Sequence, residues 1–132
     1  MCWLACAGLV LSAGCAAAPD ATSTEVRLSE WKFDASGTIE PGLQTWRITN
    51  SGLLLHEVMI IATATPADDL PILDAMVDVT EIDGELIAEV AEVTPGHTVE
   101  AQVSLDPGRY LLICNLAGHY ESGMHHVLIV GS

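Results

Sequence analysis

Cys114, His119 and Met124 offer a thiolate, an imidazole and a thioether at even five-residue spacing. Gly118 and Gly123 stand between them and mark turning backbone, so the segment Cys114 to Met124 reads as a loop able to fold its three donors around one point. A second imidazole, His56, lies 58 residues before Cys114 in the apolar run Leu53-Leu54-Leu55-His56-Glu57-Val58-Met59-Ile60-Ile61. Soft sulfur donors suit Cu(I), and imidazole suits either oxidation state of copper. Two His, one Cys and one Met therefore make a set that holds one copper ion in both states: His56, Cys114 and His119 as strong equatorial ligands, Met124 as a weak axial one.

The competing assignments are ordinary ones. His56 on an apolar strand is by itself a hydrogen-bonded core histidine, and the spaced loop downstream is what favours a ligand. Met124 competes with core packing and with Met59 as a second thioether, and its place at the end of the loop favours it. Zinc is a poor match for a loop that ends in Met. His97 follows the Pro95-Gly96 turn and reads as a surface residue. His125 and His126 are adjacent on a strand and face opposite ways, so neither is placed among the ligands. Asn115 and Tyr120 read as supporting or surface residues.

The elements that must position these donors are strands. Val26 and Leu28 alternate with Glu25 and Arg27, Trp31 and Phe33 flank Lys32, and Leu43 to Thr49 alternates again before the break at Asn50-Ser51-Gly52. Turns fall at Glu40-Pro41-Gly42, Thr94-Pro95-Gly96 and Asp106-Pro107-Gly108. Thr98 to Leu105 alternates, Arg109 to Cys114 delivers the thiolate, and His125 to Val130 closes the sheet. Gly84 to Val93 fits a strand or a helix. Thr65-Pro66-Ala67-Asp68 has the form of a helix start, with Leu70, Leu73, Met76 and Val77 as its apolar stripe, and Pro71 limits it to one or two turns within residues 65–84. The expected fold is all-β, an antiparallel Greek-key sandwich or barrel with one short helical segment.

The loop from Tyr110 to Met124, together with Asn50-Ser51-Gly52 through His56, resembles the cupredoxins, the type 1 blue copper family. In that family Cys, His and Met ligands share one loop between the last two strands, and the first His sits far upstream. The gaps on both sides of His119 are similar to those of the longer-loop branch that includes rusticyanin, sulfocyanin and related plastocyanin-like bacterial domains. The resemblance extends over roughly residues 25 to 130. It implies a cupredoxin sandwich and single-electron transfer between redox proteins, with no catalysis of its own. Family members often carry Asn or Ser after the first His, where it pins the Cys strand; this chain has Glu57 there.

Length and composition set the frame. The 132 residues, half of them apolar, fit one domain with one modest core. Residues 1–18 carry no charge and are rich in Ala, Leu, Gly and Cys, too short a run to span a bilayer comfortably. Leu11-Ser12-Ala13-Gly14-Cys15 resembles the lipobox of bacterial lipoproteins, although no Lys or Arg precedes Arg27. The expected organisation is a signal peptide at 1–14, a lipidated Cys15 with a flexible tether at 15–24, and the cupredoxin domain at 25–132. The domain then lies outside the cytoplasm, periplasmic or on the outer face of a membrane, in contact with lipid only through Cys15 or else secreted. Cys114 is the one thiol left after export, and an exported lone thiol needs an occupant such as a metal.

The net charge of −14 disfavours nucleic acid, which needs a basic surface. Nine acids lie from Asp68 to Glu92 with no Lys or Arg among them: either a solvated face or a docking surface for a basic redox partner. The same ligands also suit a copper carrier that holds Cu(I) and hands it on. Multicopper oxidases and copper nitrite reductases need more histidines than the five present.

Overall fold

In the computed structural model, residues 23–35 and 39–131 are described; the signal, lipid and tether assignments on residues 1–22 lie outside them. The described residues form strands and turns with no helix. In chain order the strands are β1 (Ser23–Ser29), β2 (Lys32–Ala35), β3 (Gly42–Asn50), β4 (His56–Thr63), β5 (Ile72–Leu73), β6 (Met76–Val77), β7 (Gly84–Val93), β8 (Thr98–Leu105), β9 (Gly108–Ile113) and β10 (His125–Val130).

Two four-stranded sheets face each other, one ordered β2-β1-β3-β8 and the other β10-β9-β4-β7. The chain crosses from the first to the second between β3 and β4, returns between β7 and β8, and crosses again at the β8–β9 turn. Among the described strands, all pairings are antiparallel except β1 with β3, which run parallel with Val26 opposite Ile48. The inward positions of both sheets form one core: Val26 and Leu28 from β1, Trp46 and Ile48 from β3, Val103 and Leu105 from β8, Val58 and Ile60 from β4, Tyr110 and Leu112 from β9. These are the apolar positions of the alternating runs, so the period-2 pattern is the sandwich itself. Ser23 and Thr24 also belong to β1 rather than to a tether, because the buried Thr24 hydroxyl bonds Gln44 Oε1 at 2.5 Å.

The second sheet is covered on both faces. Val58, Ile60 and Leu112 point into the sandwich, whereas Met59, Ile61, Leu111 and Ile113 form a second apolar cluster with Leu70, Val77 and Tyr120. Two-sided burial is why β4 reads as a continuous apolar run rather than an alternating one. The segment that covers this outer face is where one or two helical turns were expected, and it is not helical. It consists of turns and the small β5–β6 hairpin, closed by Asp78 N donating to Pro71 O at 2.8 Å. Asp74 and Ala75 form the tip with left-handed φ values of 52° and 62°. Leu70 and Val77 are buried, but Leu73 and Met76, counted as the same stripe, are exposed. Pro71 blocks a helix, and anchoring to the neighbouring loop replaces helical bonding.

Candidate metal centre

His56 opens β4, and its side chain shares the inward face with Val58 and Ile60. Asn50, fully buried at the end of β3, prepares that position. Its Nδ2 donates to Leu54 O at 2.8 Å and Val93 O at 2.7 Å, and its Oδ1 accepts from Gly52 N at 2.9 Å. The break seen at Asn50-Ser51-Gly52 is thus a cap that fixes the turn into His56.

Cys114 follows β9 directly and lies on the same inward face as Tyr110 and Leu112. Its N–H donates to Met124 O at 3.2 Å, closing the loop, while Met124 N donates to His119 O at 3.1 Å. Between these ends the backbone turns tightly, with Gly118 and Gly123 at φ values of 79° and 99°, left-handed conformations that glycine adopts without strain.

Three of the four sequence-chosen donors converge. The ligand atoms of His56, Cys114 and His119 all lie within 4.8 Å of one another. Both imidazoles turn Nδ1 toward the sulfur, His119 at 3.3 Å and His56 at 4.0 Å from Cys114 Sγ. Their rings stand 5.2 Å apart at 66°. Met124 is fully buried in the same apolar cluster as Cys114, whereas Met59 sits in the cluster on the other face of β4, which removes it as a rival. His97 is exposed at its turn, and His125 packs against Tyr120 with ring centroids 5.4 Å apart; both stay outside the cluster of donors.

The electrostatics fit a site that exchanges protons for a soft cation. Burial raises the Cys114 thiol above its usual range, against the lowering effect of the Glu57 N–H, which lies 3.4 Å from Sγ. Burial, reinforced by His119, lowers the His56 pKa, so the ring is neutral and able to donate a lone pair. A buried thiol that loses its proton on binding a metal, facing the imidazoles of His56 and His119, is the donor chemistry of a copper site.

The supporting residues were less visible in sequence. Glu57 is buried, with burial pushing its carboxyl up, and its Oε1 accepts the Asn115 N–H at 2.9 Å. It ties the strand of His56 to the residue after Cys114. Asn115 in turn clamps the β5–β6 hairpin, accepting from Val77 N at 2.6 Å and donating to Val77 O at 3.1 Å. Gly118 N adds a bond to Ala75 O at 2.8 Å. Tyr120 is buried, donates to Ala67 O at 2.7 Å and accepts from Leu70 N at 3.1 Å. Sequence reasoning placed Trp31 only in a strand-like stretch and gave neither Glu30 nor Trp31 a part in the site. They form the two-residue turn between β1 and β2, and the Trp31 ring stands edge-on to His119 at 5.2 Å. A bulky residue at φ 63° was the one signal, and it is conformational rather than compositional.

The sequence pattern of the sulfocyanin (SoxE) domain matches residues 43–132. No curated protein matches the chain in sequence. Among solved structures, the dithionite-reduced auracyanin of the photosynthetic bacterium Roseiflexus castenholzii is similar over 85% of this chain and 98% of its own, with TM-score 0.63 and 21% identity. Auracyanin A of Chloroflexus aurantiacus, described as a "blue" copper protein, matches over 83% of this chain and 98% of its own at TM-score 0.58 and 25% identity. Reduced rusticyanin matches over 85% and 81% at TM-score 0.55 and 15% identity.

Proposed function

Since this chain belongs to the sulfocyanin (SoxE) domain family of cupredoxins, we propose that it is a mononuclear blue copper protein that passes single electrons between redox partners outside the cytoplasm. The observation that carries the reading is the convergence of His56, Cys114 and His119 within 4.8 Å. In this assignment those three would hold one copper ion strongly and Met124 would be a weak fourth donor, a set that would supply one-electron transfer.

The protein's own part is to keep that set still and dry. The Glu57 N–H holds the sulfur, the Cys114 N–H to Met124 O bond closes the loop, and Asn115 fastens the loop to the β5–β6 hairpin. His56 is fully buried while His119 is partly exposed, so an electron enters or leaves most directly through the His119 ring. Donor and acceptor are proteins rather than substrates, and the excess of acids favours basic ones. An extracytoplasmic location is supported by the uncharged residues 1–18 and by the Leu11–Cys15 motif, with Cys15 as the lipid attachment point.

The test is a visible absorption and EPR spectrum of residues 23–132 loaded with Cu(II) and titrated with ascorbate. An intense orange-red band with a narrow copper hyperfine splitting, lost on reduction and restored on oxidation, is expected. Colourless protein that takes up only Cu(I) would replace electron transfer with copper carriage. Fractionation of cells expressing the full chain and its Cys15→Ser variant tests the location: loss of membrane association in the variant alone is expected.

A further inference from the structure

The far side of the buried histidine presents a specific problem. With Nδ1 turned to the sulfur, Nε2 of His56 points away from the donor cluster, is completely buried and has no hydrogen-bond partner. A neutral imidazole that coordinates through one nitrogen carries its proton on the other, and a buried N–H without an acceptor is costly. Oε1 of Glu30 stands 3.5 Å away.

Glu30 is held there from two directions. Its Oε1 accepts the backbone N–H groups of Leu53 at 2.6 Å and Leu54 at 2.9 Å, on the turn that leads into His56. Those two bonds fix the carboxyl beside the ring. The space it occupies exists because residue 52 is glycine: a methyl group there would overlap the carboxylate, whose Cδ lies 2.9 Å from that point. Gly52 is buried, and its amide is fixed by Asn50 Oδ1, so the socket itself is rigid.

We propose that Glu30 is a positioning residue for the metal centre, its carboxylate accepting the Nε2–H of His56 and thereby fixing the ring's tautomer and orientation and stabilising the more positive oxidation state of the bound ion. The proposal rests on the copper reading above. A carboxylate behind a coordinating histidine raises the ring's basicity, and loss of such a partner costs about 10–100-fold in metal affinity. The oxidised ion, with one more positive charge, loses more than the reduced one.

Two variants separate charge from placement. Glu30→Gln keeps an acceptor oxygen and removes the charge; Gly52→Ala keeps the charge and displaces the carboxylate from its socket. Both are measured as copper-loaded protein by potentiometric titration, and in the Cu(I) form by 15N-detected NMR of the histidine rings. Both variants should keep the blue band and raise the reduction potential, by about 59 mV for each tenfold loss of preference for Cu(II). In both, the His56 Nε2–H resonance should move to higher field and exchange faster with solvent. A blue band with the wild-type potential and an unshifted His56 proton in Glu30→Gln overturns the proposal and leaves the copper reading standing. Absence of the blue band from the wild-type protein overturns the copper reading and this proposal with it.

Discussion

At the scale of single residues, the roles proposed for Met124 and Cys114 are unequal. Both are fully buried in the same cluster, yet a thiolate is a strong donor and a thioether a weak one. Cys114→Ser should therefore abolish the blue band and reversible reduction. Met124→Leu, close in volume, should keep the copper and raise the potential, because a weak donor to the oxidised ion is gone. Loss of copper from Met124→Leu, read by metal analysis after dialysis, would remove the axial assignment. The four candidate ligands were legible because their types are rare and their spacing is a property of the chain. Glu30 was not, since one glutamate among several charged neighbours has nothing to mark it until the fold brings it 3.5 Å from His56.

At the scale of elements, the segment between β4 and β7 is an outer cover for the second sheet, and Tyr120 is its fastening to the metal loop. Tyr120→Phe leaves the Leu70 N–H without its acceptor, and about 1–3 kcal/mol of stability should be lost in denaturant titrations. The hydroxyl also carries a pH dependence. Burial raises its pKa above 10.0, against the Leu70 N–H and with help from Asp68 and Asp69. The unfolded chain thus ionises first. The tyrosine's contribution is intact below pH 10 and declines as pH rises from there toward the folded-state value. The wild-type melting temperature should fall more steeply above pH 10 than that of Tyr120→Phe. Strands of the first sheet were readable because one face meets solvent and the period is 2, as in β1 and β3. One or two helical turns were expected in the cover because its apolar residues do fit a helical stripe. What decides the matter is Pro71 and the bonds Asn115, Gly118 and Tyr120 make to it, all of them from a remote part of the chain.

At the scale of the whole molecule, the net charge of −14 sets a background of self-repulsion that the fold must hold against. Screening shortens its reach to roughly 10 Å at 0.1 M salt and 3 Å at 1 M. The melting temperature should rise when sodium chloride is raised over that range, whereas electron transfer with a cationic partner, followed by stopped flow, should slow. A rate insensitive to salt would show that the acids from Asp68 to Glu92 are solvated surface and nothing more. The parallel pairing of β1 with β3 has its own outcome at this scale. β1 starts at Ser23 beside Thr45 and ends at Ser29, next to the turn that touches both histidines. The seven strand residues separate those ends by about 20 Å. Ser23 thus lies at the pole opposite the donor cluster. An anchor of the kind proposed at Cys15 would hold the protein by that pole and leave the donor cluster at the far end, open to an arriving partner.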